Sequence, residues 1–223
     1  MKIGVIGAGH IGGNAARLFA AAGHEVLLSF SREPERLADF AAGLGGRAAT
    51  GSPRDAARFG DVVMLSVPWP AIPEALAQAG PLDGQIVIDT TNQFGPGGVQ
   101  PVPGGLTAAQ YNQQRMPGAR LVKSFNTLTS GFQASQAGRA DRDQRVVLFL
   151  CGDDGPAKQV VAGLIDDAGF APADLGGLAD AGPMEAPRRA GAVYGEEYRP
   201  ADARAVADAL RAGRPIPPTP HYH

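Results

Sequence analysis

Residues 2–12 read KIGVIGAGHIG, a short apolar run that leads directly into three spaced glycines. The apolar run predicts a strand, and the Ala-rich residues 14–22 that follow predict a helix. Gly7 permits a tight turn, Gly9 removes the Cβ that would keep a phosphate away from the backbone, and Gly12 lets the helix pack close to the strand. A strand, a glycine loop and a helix N-terminus in this order predict a binding site for the pyrophosphate of a dinucleotide.

Apolar runs and helical patterns alternate along the rest of the chain, which is typical of βαβ units and a parallel sheet. Strands are predicted at residues 3–6, 25–30, 48–50, 62–67, 86–89, 121–124, 146–150 and 170–174, and helices at 14–22, 34–42, 53–59, 72–79, 107–115, 156–168 and 201–212. We therefore expect an α/β protein with a Rossmann-type, doubly wound, mostly parallel sheet and a small C-terminal cap. Residues 1–180 are expected to form the nucleotide-binding domain, and residues 181–223 a C-terminal extension that contributes to the substrate pocket or to a dimer contact.

The amino-acid composition of the chain limits the kinds of partner that we expect it to bind. The chain of 223 residues carries 20 basic and 22 acidic residues, a net charge of −2, so we expect no nucleic acid partner. Its single cysteine, Cys151, excludes a disulfide within one chain and a cysteine-cluster zinc site, and no metal site is predicted. No signal-peptide pattern and no apolar stretch of membrane-spanning length are visible, so we expect a cytoplasmic protein with no membrane partner.

The end of the second predicted strand indicates which dinucleotide binds. NAD-binding folds place an acidic residue about twenty positions after the last glycine of the loop, where it holds the ribose 2′-OH. Here that place is occupied by Ser31 and Arg32, and Arg36 follows one helical turn later. A hydroxyl and two guanidinium groups suit a 2′-phosphate, which a carboxylate would repel. The sequence therefore favours NADP(H) over NAD(H).

Polar residues follow the other strands, at the carboxyl ends where open α/β sheets bind ligands. We expect Asn92 and Asn126 to orient a carboxamide or a ribose by hydrogen bonds. His10 lies inside the glycine loop, where it either touches the ligand or points into solvent. The predicted cofactor-binding residues are Gly7, Gly9, His10, Ile11, Gly12, Ser31, Arg32, Arg36, Ser66, Val67, Pro68, Asn92 and Asn126.

No acid–base arrangement is apparent, and the catalytic residues stay unassigned. The candidates for a proton donor are Lys123, Asn126 and Tyr194. Lys123 falls inside a predicted strand, so a structural or phosphate-side role fits it equally well. A hydride passed to a ketone or an imine needs a general acid nearby, whereas a hydride passed between two redox cofactors needs mainly alignment.

Several segments occur in an order that resembles a known family. They are residues 7–12, 31–32, 66–68, 89–92, 123–127 and 151–154. Together they resemble the NADP oxidoreductases that work with the deazaflavin coenzyme F420, and the similarity covers residues 1–175. The Asp-x-Thr-Asn pattern at 89–92 and the Lys-x-Phe-Asn-Thr pattern at 123–127 are its most specific parts.

The resemblance implies a homodimer of Rossmann domains, each with a small C-terminal cap. It places NADPH along Gly9, His10, Ile11, Ser31, Arg32, Val67, Pro68 and Asn126. The deazaflavin would stack on the nicotinamide, and a hydride would pass directly between the two rings. The expected partner is accordingly a small-molecule redox acceptor.

Two segments depart from the family pattern and leave the acceptor open. They are residues 185–198, which should help to form the acceptor pocket, and residues 93–106, a Gly- and Pro-rich stretch without periodicity. Besides F420 or another planar acceptor, an organic imine or carbonyl is a possible substrate, with the proton supplied by Lys123, Tyr194, Tyr198 or His10. A third hypothesis is a non-catalytic module that senses NADP(H).

Overall fold

The computed structural model describes residues 1–30 and 33–222. The strands are Lys2–Ile6 (β1), Glu25–Ser29 (β2), Ala48–Thr50 (β3), Val62–Leu65 (β4), Ile86–Asp89 (β5), Phe94–Gly95 (β6), Gly98–Val99 (β7), Arg120–Lys123 (β8), Val147–Gly152 (β9) and Ala171–Gly176 (β10). The α-helices are His10–Ala21 (α1), Pro34–Ala42 (α2), Pro53–Phe59 (α3), Ile72–Ala79 (α4), Ala108–Arg115 (α5), Ser130–Gln136 (α6), Gly155–Asp167 (α7) and Pro200–Arg211 (α8). Short 3-10 turns lie at Trp69–Ala71, Pro103–Gly105, Arg142–Gln144 and Leu178–Met184.

Eight strands form one sheet in the order β10-β9-β8-β5-β4-β1-β2-β3. The six strands from β8 to β3 are parallel to one another. β9 pairs antiparallel with β8, and β10 runs parallel to β9, so these last two strands point the opposite way. The predicted Rossmann-type, mostly parallel sheet is confirmed, with the strand order of doubly wound dinucleotide-binding folds in its parallel part.

Helices cover both faces of the sheet, which is why its central strands are apolar throughout. Successive side chains of a strand point to opposite faces. In β4, Val62 and Met64 belong to the core that includes α1 and α7, whereas Val63 and Leu65 belong to the core that includes α3 and α4. The helix α8 packs on β10, and its Val206 lies in the same core as α3 and α4. Part of the chain after residue 180 therefore helps to cover the sheet.

The stretch between β5 and α5 contains more structure than its sequence suggests. Phe94 pairs with Val99 in a two-stranded antiparallel hairpin, β6–β7, and a 3-10 turn follows at Pro103–Gly105. Strands of two residues are too short to give a periodic pattern, so sequence patterning misses them. Within the described residues no helix is long and apolar enough to cross a membrane.

Candidate dinucleotide and acceptor site

The carboxyl ends of β1, β4, β5 and β8 meet at one edge of the sheet because these strands are parallel. The glycine loop lies at this edge, and Gly9 is the N-cap residue of α1. No described side chain caps this helix, and its first turn contains no acidic residue. The first-turn N–H groups and the positive end of the helix dipole therefore suit an anionic ligand.

The three glycines of the loop are required for different reasons. A Cβ on Gly12 would lie 2.1 Å from the carbonyl oxygen of Gly7, and one on Gly7 would lie 2.4 Å from that of Ser66. Gly7 also has a φ of +102°, which side chains rarely adopt. A Cβ on Gly9, in contrast, would meet no atom within 4 Å. The fold itself requires Gly7 and Gly12, whereas the space beside Gly9 is open and fits the pyrophosphate of a dinucleotide.

The residues after β4 continue the same edge. Thr90 donates its hydroxyl to the Oγ of Ser66 at 3.0 Å, which ties the ends of β4 and β5 together. Val67 is buried against the glycine loop, and Pro68 is exposed. His10 is also exposed, whereas Ile11 is half-buried and lines the neighbouring cavity.

Two amide side chains form hydrogen bonds with each other in the lining of the cavity beside the glycine loop. The Nδ2 of Asn92 donates to the backbone oxygen of Asn126 at 2.9 Å, and the Nδ2 of Asn126 donates to the Oδ1 of Asn92 at 3.1 Å. Asn126 also donates to the carbonyl of Met184 at 2.7 Å, which fixes the orientation of its amide. Its Oδ1 has no hydrogen-bond partner among the described residues, although Asn126 is only 4% exposed. Buried carbonyl groups are rarely left without a partner, so this oxygen is a candidate acceptor for a hydrogen bond from a ligand.

A strained residue sets the direction of Asn126. Phe125 has a φ of +60°, a left-handed conformation that is uncommon for a bulky side chain. Its ring is buried and packs edge-on against Phe19, with the ring centroids 5.9 Å apart. The turn at Phe125 sends this ring into the core while Asn126 lines the cavity. Strain of this kind concentrates at functional sites.

The cavity beside the glycine loop has a volume of ≈ 570 Å³. It is lined by Ile11, Thr90, Asn92, Asn126, Thr127, Leu128, Thr129, Ser130, Phe132, Arg188, Tyr194, Gly195 and Glu197. Most of these residues offer hydroxyl, amide or apolar groups. The two charged side chains are ion-paired, Arg188 to Glu196 at 2.5 Å and Glu197 to Arg139 at 2.9 Å.

Residues 185–198, which we call the acceptor segment, form one wall of the cavity. The segment is fixed at its start because the buried Glu185 carboxylate accepts hydrogen bonds from the N–H groups of Ala108 and Ala109, both at 2.8 Å. Nearer its end, Gly195 donates to the carbonyl of Thr127 at 2.8 Å. The half-buried Tyr194 lines the cavity between these points, and burial raises the pKa of its phenol.

The remaining predicted residues lie away from the cavity or outside the described chain. Lys123 is 0% exposed and does not line the cavity. Tyr198 is also buried, with its ring edge-on to Phe149. Arg36 is exposed and pairs with Glu33 at 3.3 Å. Ser31 and Arg32 lie outside the described residues, so the predicted 2′-phosphate site stays a prediction.

Sequence patterns missed the lining residues Leu128, Thr129, Ser130 and Phe132, whereas Arg188 and Glu197 lie in the stretch 185–198 that was expected to help form the acceptor pocket. The four missed residues lie on the turn into α6 and on its first turn, which carry no motif. The only available signal was the run of polar residues that continues past the end of β8. Within residues 1–30 and 33–222, no group of three His, Cys, Asp or Glu residues could hold a metal ion.

Comparison with known proteins supports an NADP-dependent oxidoreductase. Residues 2–93 match the family model described as NADP oxidoreductase coenzyme F420-dependent. The metalloreductase STEAP3 of Rattus norvegicus is 29% identical over 185 residues, which make up 83% of this chain. The chain spans only 36% of the length of that relative.

Two solved structures are similar over most of the chain. A hypothetical protein of Sinorhizobium meliloti has 33% identity and a TM-score of 0.76, over 89% of this chain and 95% of its own. A protein of Arthrobacter sp. FB24, named as an F420-dependent NADP reductase, has 26% identity and a TM-score of 0.68, over 81% of this chain and 87% of its own.

Proposed function

This chain belongs to the family of NADP-dependent oxidoreductases described as coenzyme F420-dependent, and from that premise we propose that it transfers a hydride between NADP(H) and a planar redox acceptor, the deazaflavin F420. One observation carries the proposal. The open space beside Gly9 adjoins a cavity whose floor holds the unpartnered Oδ1 of Asn126. A dinucleotide with its pyrophosphate at Gly9 fills that space and brings its nicotinamide to the cavity.

The residues of the chain divide the task of holding NADPH. The first-turn N–H groups of α1 bind the pyrophosphate, and Arg32 and Arg36 bind the 2′-phosphate. A small shift of the Asn126 side chain, of the kind common on ligand binding, lets its Oδ1 accept a hydrogen bond from the carboxamide. When bound, NADPH supplies a hydride at its nicotinamide ring. Asn92 and Asn126 hold that ring at the floor of the cavity.

The chemistry of the lining supports a planar redox acceptor. Arg188 and Glu197 are already ion-paired, and burial keeps the phenol of Tyr194 protonated near neutral pH. Burial thus makes the phenol of Tyr194 a weaker acid than a free tyrosine, and the two charged lining side chains are occupied by their partners. Hydride transfer between two aligned rings requires mainly orientation, and the accompanying proton comes from water.

Mixing the protein with oxidised F420 and NADPH tests the proposal. Loss of the deazaflavin absorbance is expected with NADPH and much less with NADH. The variant Gly9→Ala, which adds a Cβ where the pyrophosphate should lie, serves as the matched control for transfer at this site. Intact NADPH binding without any loss of deazaflavin absorbance would overturn F420 as the acceptor.

A second candidate, reduction of a small imine or carbonyl, is favoured by one observation. The hydroxyl of Tyr194 lies on the cavity wall, where a proton donor would be needed. A panel of cyclic imines and small ketones, with NADPH oxidation followed at saturating cofactor, tests this candidate. Turnover that is lost in Tyr194→Phe would support it against the planar acceptor.

A further inference from the structure

A fully buried ion pair joins the ends of β5 and β8, and neither of its side chains lines the cavity. Asp89 and Lys123 face each other on the last rung between β5 and β8, and both side chains are 0% exposed. The Nζ of Lys123 lies 3.2 Å from the Oδ2 of Asp89. A buried ion pair seldom stabilises a fold more than apolar residues of the same size, so its presence here indicates another role.

The pair fixes the turn that follows β5. The Oδ1 of Asp89 accepts hydrogen bonds from the backbone N–H of Thr91 at 2.9 Å and from its hydroxyl at 2.7 Å. Lys123 donates to the carbonyl oxygen of the same Thr91 at 2.5 Å. The N–H of Thr91 is thus held by Asp89 and its C=O by Lys123, and the next residue along the chain is Asn92.

A third buried side chain completes the network. The Nδ2 of Asn112, on α5, donates to the Oδ2 of Asp89 at 2.9 Å and to the hydroxyl of Thr91 at 3.0 Å. Both oxygens of the Asp89 carboxylate are therefore occupied within the core. A network in which every member has partners is rigid, so the turn has one conformation.

Both amides of the cavity floor depend on this turn. Asn92 follows it directly, and Asn126 comes three residues after Lys123 at the end of β8. We infer that Lys123 is a positioning residue, which acts through Thr91 and Asn92 to hold the Asn126 amide against the nicotinamide. The inference rests on the proposed function, because that function gives Asn126 its task.

The variant Lys123→Met removes the ammonium group while it keeps most of the side-chain length. We expect the single-turnover rate of hydride transfer to fall roughly 10- to 100-fold, the cost of a misplacement of about 1 Å. The Kd for NADPH should change by less than about threefold, because the proposed phosphate contacts belong to the glycine loop and α1 and not to β8. If this variant fails to fold because Asp89 is left unpaired, Lys123→Met combined with Asp89→Asn gives a neutral replacement for the same measurements.

A double-mutant cycle separates positioning from a loss of stability. Lys123→Met should cost little further in an Asn126→Ala background, because the two residues act as one unit. Rate losses that multiply in the double variant would overturn the inference. Val87→Ala is the matched control, since Val87 is buried on β5, has no hydrogen-bonding side chain and does not line the cavity. An equal rate loss in this control, at an equal fall in Tm, would also overturn it.

A binding readout keeps this test separate from the choice of acceptor. The nicotinamide fluorescence of bound NADPH reports the surroundings of the ring without any turnover. Lys123→Met should shift this emission at saturating NADPH, whereas Val87→Ala should not. An unchanged emission overturns the positioning role even when wild-type protein reduces F420. A shifted emission with no F420 reduction by wild type leaves the positioning role standing and rejects only the acceptor.

Discussion

The glycine loop and the acceptor segment contribute to the same site, yet they are built in different ways. The loop consists of consecutive residues between β1 and α1, and the nearest atoms to a Cβ on Gly7 or Gly12 belong to the loop's own backbone and to residues 66–67 at the end of β4. The acceptor segment is held by residues far along the chain, since Glu185 bonds to α5 and Gly195 bonds to Thr127. A short sequence motif can therefore specify the glycine loop, whereas the position of the acceptor segment depends on the assembled fold.

The two regions are also expected to have different tasks, which are binding of the dinucleotide and selection of the acceptor. Backbone N–H groups at a helix N-terminus recognise any dinucleotide pyrophosphate, so this half of the site is shared by many proteins. Side chains on the acceptor segment form part of the cavity wall, so under the proposed function they select the acceptor. Substitutions in the two regions should accordingly affect different constants.

The largest expected effect is a difference between substitutions at two glycines of the loop, one of which should lower stability and the other NADPH affinity. Gly12→Ala places a Cβ 2.1 Å from the carbonyl oxygen of Gly7 and should destabilise the fold by about 3 kcal/mol or more. Gly9→Ala meets no protein atom and should change the free energy of unfolding by less than about 0.5 kcal/mol. It should nevertheless weaken NADPH binding by roughly tenfold or more, equivalent to about 1.4 kcal/mol.

Thermal unfolding and NADPH titration of the two variants decide this prediction. Equal Tm values for Gly12→Ala and wild type would contradict the packing argument. Undiminished NADPH affinity in Gly9→Ala would mean that the pyrophosphate binds elsewhere.

The next effect tests the anchor of the acceptor segment. Glu185→Ala leaves the N–H groups of Ala108 and Ala109 without their carboxylate, and each such charge-assisted bond contributes about 1.5–3 kcal/mol. We expect the KM for the acceptor to rise while the Kd for NADPH is unchanged. Steady-state kinetics and a separate NADPH titration distinguish the two constants. An equal loss in both would show that the two regions are not independent.

A smaller effect concerns the choice between NADPH and NADH. Arg32→Ala removes a guanidinium group predicted from the sequence to bind the 2′-phosphate, and it should weaken NADPH binding by about tenfold. NADH has no 2′-phosphate, so its affinity should change little. Parallel titrations give the ratio of the two Kd values. Equal losses for both nucleotides would remove Arg32 from the phosphate site.

The smallest expected effect is that of Tyr194→Phe. Transfer between two rings needs no proton from this phenol, so kcat should change by less than about threefold. Burial raises the pKa of Tyr194 above its ordinary value of 10.0, so the hydroxyl is neutral at pH 6–9 in wild type. The pH profile between 6 and 9 should therefore be the same for both proteins. A large fall in kcat that varies with pH would favour the imine or carbonyl reductase.

Sequence reasoning predicted the parallel half of the fold because each unit there is local. The strand, glycine loop and helix at residues 2–21 lie next to one another in both sequence and space. The opposite direction of β9 and β10 was not predictable, since strand patterns carry no direction. The position of Lys123 is a similar case, because a lysine in an apolar run reveals nothing of Asp89 on the neighbouring strand. Asn92 and Asn126 were predicted as ligand-binding residues, but their pairing with each other emerged only from the fold.

The direction of β9 and β10 has a consequence for how the acceptor can change in evolution. Their carboxyl ends point away from the edge that carries the cavity, and the chain returns to this edge through the turn Leu178–Met184. The acceptor segment is thus attached at both of its ends. Glu185 bonds to the N-terminus of α5, and the N–H of Val147 at the start of β9 donates to the carbonyl of Tyr198 at 2.9 Å. A segment attached only at its two ends can differ in sequence between relatives while every strand of the sheet keeps its place. Descendants of one dinucleotide-binding scaffold can therefore acquire new acceptors by replacing this single stretch of chain.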